Sequence, residues 1–306
     1  MKIPNQICGC LIAAFACMAA AAQDEATAGI VTVRVTDGIY MLMGLGGNVA
    51  VSVGEDGVFI IDDQMPPLSQ QVRASIAELT DQPVRIVFNT HWHFDHTGGN
   101  PLFREAGSVI MAHDNVRRRM STAQFSTLMG KARPPSPQAA LPVVTFDTEV
   151  SLHLNGDTIR AFHVPPAHTD GDTILLFEDS NVVHMGDTYF NGMYPTIDVD
   201  AGGSIRGLSR AIDLALERLN SETKVIPGHG PLSDIDGVIR YQVMLNTVAD
   251  RVQRMIDQGR SLEDIVQARP TIEFDQDWTW GNFSAERWVR LVYDSLVRNP
   301  AKPDGG

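Results

Sequence analysis

The sequence predicts a single α/β domain built as two similar halves, each a run of strands closed by helices. Three observations lead there. Short runs rich in Val, Ile and aromatic residues are punctuated by Asp-Gly and Gly-rich turns in both halves of the chain. Longer stretches with apolar residues at helical spacing follow each set of runs. Neither an internal repeat nor a linker-like segment interrupts the 306 residues, which is length enough to bury one large core.

The first half opens with strands expected over 31–35, 38–43, 48–53 and 58–61, parted by turns at Asp37-Gly38, Gly44-Leu45-Gly46-Gly47 and Glu55-Asp56-Gly57. That pattern reads as an antiparallel meander. Pro66-Pro67 starts a helix carrying Leu68, Val72, Ile76 and Leu79 on one face. A strand over 84–88 follows, then helices over 100–106 and 113–129 around a strand at 109–111. Four prolines make 131–142 a loop over one face of the molecule. In the second half, strands fall at 148–154, 158–164, 173–178, 182–185 and 224–226. Helices fall at 204–219, 234–258, 261–268 and 284–297.

Residues 1–22 read as a signal peptide. Lys2 precedes an apolar run, and Ala20-Ala21-Ala22 supplies small residues before Gln23-Asp24-Glu25. The run is short for a membrane span, and Ala14-Phe15-Ala16 fits poorly before a lipid-modified Cys17. The expectation is therefore a periplasmic or secreted protein, with residues 23–306 forming one domain and no stable membrane insertion. Cys8, Cys10 and Cys17 all lie in the leader, so any metal site must be built from His, Asp and Glu. The chain is acidic, 37 Asp and Glu against 24 Lys and Arg. This disfavours nucleic acid or an anionic membrane surface as partner and leaves a small-molecule substrate. The basic run Arg117-Arg118-Arg119 is read as a solvated helix face.

The densest chemistry follows the 84–88 strand, in Thr90-His91-Trp92-His93-Phe94-Asp95-His96-Thr97-Gly98-Gly99. The chain has only nine histidines, so three of them with an Asp in six residues make a strong metal motif rather than a polar helix cap. A turn off a strand end can aim His91 and His93 at one metal and Asp95 and His96 at a neighbouring one. Three later positions share the character of strand-to-loop edges beside glycine. They are His168 in Ala167-His168-Thr169-Asp170-Gly171, Asp187 after Met185-Gly186, and His229 in Pro227-Gly228-His229-Gly230. Singly each is weak; their order after His91–His96 gives them weight.

Taken together these residues resemble the metallo-β-lactamase superfamily over nearly the whole mature chain. The resemblance implies an α/β fold of four layers, an αββα sandwich, with two Zn2+ ions at one edge. It implies His91, His93 and His168 on the first zinc, Asp95, His96 and His229 on the second, Asp187 bridging, and a flexible hairpin at Gly44–Gly47 over the cleft. Flavodiiron relatives put a carboxylate where His93 stands, which favours zinc over iron. Two such ions can hold a shared hydroxide that attacks a carbonyl C–N or C–O bond, with Asp95 as the catalytic carboxylate orienting it. His163 and His184 are near enough in sequence to support ligands but are left out of the site.

Fold alone cannot choose the substrate. Export, and His96 in the manner of the third β-lactamase subclass, favour β-lactam hydrolysis. Asp187 is the glyoxalase II and lactonase pattern, and residues 188–203 offer no Lys or Arg for a β-lactam carboxylate. Tyr189, Phe190 and Tyr194 either line a pocket or pack beneath it. A lactonase or thioesterase is thus the alternative, and a non-catalytic periplasmic zinc-binding accessory protein is the alternative of another class.

Overall fold

The computed structural model describes residues 29–127 and 130–299; the expected signal peptide lies outside the described residues. Strands β1 (Val31–Thr36), β2 (Ile39–Met43), β3 (Val49–Gly54) and β4 (Gly57–Ile61) form the antiparallel meander. Helix α1 (Pro66–Leu79) then carries the chain back, so that β5 (Val84–Asn89) pairs parallel to β4. The metal motif forms the short α2 (Phe94–Thr97), followed by α3 (Asn100–Glu105), β6 (Val109–His113) and α4 (Asp114–Met120). A hairpin, β7 (Gln124–Ser126) with β8 (Lys131–Arg133), precedes β9 (Val144–Phe146), which closes a seven-stranded sheet beside β6.

The second sheet runs β10 (Glu149–Leu154), β11 (Asp157–His163), β12 (Thr173–Phe177) and β13 (Val182–His184), all antiparallel in order. Helix α5 (Ile205–Leu216) crosses over to β14 (Lys224–Ile226), parallel to β13. Helices α6 (Ile235–Asp257), α7 (Leu262–Gln267), α8 (Asp275–Trp278) and α9 (Ala285–Arg298) complete the chain.

Side-chain alternation turns these two sheets into four layers. In β4, Phe59 and Ile61 enter a core shared with Phe177, Leu175 and Ile226 of the other sheet, and the Phe59 and Phe177 rings meet edge to face at 6.2 Å. Val58 and Ile60 point the opposite way, into a core with Val72 and Ile76 of α1 and Phe103 of α3. Ile174 and Leu176 of β12 likewise face Leu208 and Ile212 of α5, Leu245 of α6 and Trp288 of α9. Strands buried on both faces carry near-continuous apolar runs, which is why β4 has no polar side chain and β12 none after Thr173. The order is helix, sheet, sheet, helix.

The stretch after β6 departs from the sequence expectation. The helix expected over 113–129 stops at Met120. Ser121 Oγ and Thr122 Oγ1 donate to the Arg118 carbonyl, and Gln124 Nε2 to the Arg119 carbonyl, satisfying the last turn with side chains in place of further helix. The chain then forms the β7–β8 hairpin, so the expected loop at 131–142 begins as a strand. The run Arg117–Arg119 is not simply solvated: Arg118 and Arg119 both pair with Asp170, and Arg117 donates to the Pro142 carbonyl.

Candidate metal centre

The C-terminal ends of β4, β5, β13 and β14 open onto one edge of the sandwich, and all seven candidate ligands gather there. His91 and His93 leave β5, His93 capping α2, whose first turn presents Asp95 and His96. His168 comes from the β11–β12 connection, Asp187 from the 3₁₀ turn after β13, and His229 from the loop after β14. Donor atoms of His91, His93, His168 and Asp187 lie within 4.8 Å of one another, as do those of Asp95, His96 and His229. Asp187 stands between the groups. Its Oδ2 is 3.7 Å from His91 Nε2, 3.3 Å from His168 Nε2 and 3.4 Å from His229 Nε2, while Oδ1 is 3.1 Å from His96 Nε2.

Accounting for protons shows what these atoms lack. Asp62 Oδ2 accepts from His96 Nδ1 at 2.8 Å and from Thr90 Oγ1 at 2.8 Å. Because the Thr90 hydroxyl donates to Asp62, His91 Nδ1–H donates to Thr90 Oγ1, at 3.0 Å. His93 Nε2–H is held by Asp198 at 2.9 Å, and His168 Nδ1–H by the Thr196 carbonyl at 2.8 Å. In His91 and His168, which burial keeps neutral, one nitrogen is committed as a donor and the other is left as a bare lone pair toward the common centre, where His93 Nδ1 and His96 Nε2 also point. His93 Nδ1 and His168 Nε2 face each other at 2.9 Å. His91 Nε2 and Asp187 Oδ1 are buried with no hydrogen-bond partner. Converging lone pairs and orphaned acceptors fit a cation, and the N/O donor set fits zinc.

Burial strengthens this. It pulls His91 well below the usual histidine range and His168 down to about 4, so both stay neutral. For Asp187 burial pushes upward, but the surrounding histidines, His96 first, outweigh it and hold the carboxylate well below its usual range. His96 is driven the other way: burial lowers it, yet Asp187, Asp62 and Asp95 together raise it well above normal.

Backbone packs tightly around the centre. Gly47 N donates to the Asp95 carbonyl at 3.1 Å and Gly46 N to Gln64 Oε1 at 3.1 Å, so the 44–47 turn is pinned rather than a free hairpin. A Cβ on Gly47 would overlap the His96 ring, and one on Gly228 would overlap Asp187 Oδ1. Asp62 and Gln64 both adopt left-handed φ angles of 63° and 67°, strain placed beside the site.

A cleft above the cluster is walled by Trp92, Phe94, Phe190 and Trp280, with Arg133 at its side. Phe190 stacks on His229 at 4.9 Å, whereas Tyr189 and Tyr194 pack in the core. Asp62, Asp198, Arg133 and Trp280 were not found from sequence, being far from the motif and without a spacing signal. His184 bonds the Asn48 carbonyl and Gly186 N, bracing the turn before Asp187. His163 stacks on His113 at 3.7 Å.

The model of the metallo-beta-lactamase superfamily matches residues 42–229, a span from β2 through His229. The alpha subunit of 2,4-dinitroanisole O-demethylase from Nocardioides sp. (strain JS1661) is 27% identical over 172 residues. That match covers 54% of this chain but 45% of the subunit, so this chain spans less than half of that relative. A hydroxyacylglutathione hydrolase of Polaromonas sp. is 25% identical over 259 residues, covering 84% of this chain and 89% of that enzyme. Among solved structures, a metallo-β-lactamase from Pontibacter korlensis superposes with a TM-score of 0.59 at 16% identity, over 71% of this chain and 99% of its own. With more than half its length under the family model, the chain belongs to the metallo-β-lactamase superfamily.

Proposed function

We propose that the protein is an exported hydrolase that holds two Zn2+ ions and cleaves a carbonyl C–N or C–O bond of a small molecule, with β-lactams the first substrates to test. The observation that carries this reading is the set of bare ring nitrogens and the orphaned Asp187 oxygen converging beneath an open aromatic cleft. His91, His93 and His168 would hold one ion, Asp95, His96 and His229 the other, with Asp187 shared between them. Bound zinc supplies Lewis acidity and a water acidic enough to act as nucleophile near neutral pH.

The chain's own groups do the rest. Asp95 is the one carboxylate of the second cluster and is partly open to the cleft, with Oδ2 3.4 Å from His229 Nε2. It orients the attacking water, holds its proton and returns it to the leaving atom. Asp62 and Asp198 keep the ligand rings in their metal-facing tautomers. Phe190 and Trp92 line the cleft and would keep bulk water from a bound carbonyl.

A lactonase or thioesterase is the second reading, favoured by the carboxylate at Asp187 and by the relative named as a hydroxyacylglutathione hydrolase. An accessory protein that merely stores zinc would not need Asp95 at the floor of an open cleft. The deciding experiment assays the mature protein, metal-free and zinc-loaded, on β-lactam, lactone and thioester substrates. Turnover lost with chelator and restored by zinc is expected. Full turnover by Asp95→Ala on every active substrate would sink the mechanism. One metal per chain at saturation would remove the bridging role of Asp187.

A further inference from the structure

The charge inside the cleft is lopsided. Asp95, Asp187 and Asp198 line it, and against them stands a single Lys or Arg side chain, Arg133. Its guanidinium lies over the Phe94 ring, 4.3 Å from the centroid, and no carboxylate among the described residues pairs with it. The neighbouring Arg118 and Arg119 show the contrast, since both are taken up by Asp170. A half-buried arginine beside three carboxylates, yet paired with none, is a group kept for something that enters the cleft.

Arg133 is also held in place. It ends β8 of the hairpin, and the hairpin is tied down at several points. Thr127 N donates to Asp200 Oδ2 at 2.6 Å, and Arg119 Nη1 donates to Gln124 Oε1 at 3.1 Å. Ser136 N donates to the Met120 carbonyl at 2.7 Å. Asp200 is itself fixed by Arg298 at 2.7 Å. Pro134, Pro135 and Pro137 stiffen the exit from β8. The planar guanidinium, stacked on Phe94, leaves its N–H edge to accept an anion.

We propose that Arg133 binds a carboxylate of the substrate, so that the preferred substrates carry a free carboxylate and the scissile carbonyl on one small apolar or aromatic frame. This rests on the hydrolase reading of the same site and narrows it. One guanidinium matches a monoanionic carboxylate through two parallel hydrogen bonds, whereas a phosphate dianion would call for a second Lys or Arg, which the cleft lining does not include. The walls of Trp92, Phe94, Phe190 and Trp280 fit the apolar remainder. Simple lactones without an acid group fall outside the class.

The test uses matched pairs of β-lactams and thioesters, each as the free acid and as its primary amide, with the zinc-loaded full protein. In Arg133→Gln the ratio of kcat/KM for acid over amide should fall at least about tenfold, mainly through KM, and recover in part in Arg133→Lys. Raising salt should lower the same ratio in the wild type. A ratio within twofold of wild type in Arg133→Gln overturns the proposal. Should the wild type turn over none of these compounds, the hydrolase reading fails, and binding decides on Arg133. Phenylacetate and phenylacetamide are then titrated calorimetrically into the zinc-loaded protein. Arg133→Gln weakening the acid at least about fivefold relative to the amide upholds the proposal; equal effects on both, or none, reject it.

Discussion

Replacing Asp62 with asparagine tests the proton arrangement on which the whole cluster depends. Asp62 accepts from Thr90 N through Oδ1, and from Thr90 Oγ1 and His96 Nδ1 through Oδ2, each at 2.8 Å. Asparagine can keep the first bond through its carbonyl oxygen. Its amide nitrogen then sits where Oδ2 was. The Thr90 hydroxyl can turn to accept, but His96 Nδ1–H meets another donor. Either that buried N–H goes unpaired, at a cost of about 1–3 kcal/mol, or the proton moves to Nε2, the atom that faces the metal. Loss of an outer partner of a metal-bound histidine lowers affinity about 10- to 100-fold, roughly 1.4–2.7 kcal/mol. The two estimates agree, as they should if both measure one misplaced proton. Zinc titration of the metal-free protein against a chromophoric chelator should show the Asp95–His96–His229 ion weakened by that factor. The other ion should change less, because His91 reaches Asp62 only through Thr90. Far-UV circular dichroism of the metal-free variant checks that it is folded. If both zinc affinities match wild type within twofold, Asp62 does not set the tautomers and the reasoning fails.

Asp198→Asn is the counterpart on the first cluster, since Asp198 holds His93 Nε2–H while its Oδ1 also accepts from Ala201 N at 3.0 Å. Asparagine can keep the Ala201 bond and lose only the histidine, so zinc at His91–His93–His168 should weaken about 10- to 100-fold; equal weakening of both ions in the same chelator competition would count against it. The His113–His163 stack should titrate below the ordinary histidine value of about 6.5. Burial lowers both, and His113 further lowers His163, against the opposing pull of Asp114, Asp147 and Asp170. Both rings are neutral in the fold, so their contribution is intact above about pH 6.5 and is lost as pH falls toward their folded values, where the unfolded chain takes up protons first. Ring-proton NMR would detect this, and midpoints at or above 6.5 for both rings would refute it.

The candidate ligands could be singled out in the sequence, while most of what orients them could not, and the reason is geometric. His91 to His96 share one turn, so their chemistry is compressed into six letters. Asp187 and His229 follow strands and border glycines, and the strand-end pattern marks them. Asp62 sits 28 residues before Thr90 at the end of β4, where an Asp-Asp pair looks like any strand terminus. Its role exists only because β4 and β5 lie side by side and parallel. Asp198 is 105 residues from His93 and belongs to an irregular loop with no period to read. Arg133 lies in a three-residue strand, too short for alternation to show, inside a stretch whose prolines suggested a loop. The same shortness hid β9. Long elements with a buried face, such as α1, α5 and α6, stood within a few residues of expectation because one periodic apolar stripe specifies each.

The balance of charge at the edge of the sandwich ties these outer residues to the substrate. Two divalent ions in the proposed sites would meet four carboxylates, Asp95 and Asp187 directly and Asp62 and Asp198 through histidines, so that the formal charges cancel. Burial raises Asp63 well above the usual carboxylate value and pushes Asp172 up to about 7, which weakens the charge of both. A serine at position 187 would leave the centre one negative charge short and attractive to any anion. With Asp187 the loaded centre has no net pull of its own, in a chain already acidic by 13 charges. Recognition of an acidic substrate must then come from a cation outside the metal cluster, and Arg133 is the one that lines the cleft. The carboxylate that separates this site from a β-lactamase pattern with serine is thus also what makes a separate anion-binding arginine necessary.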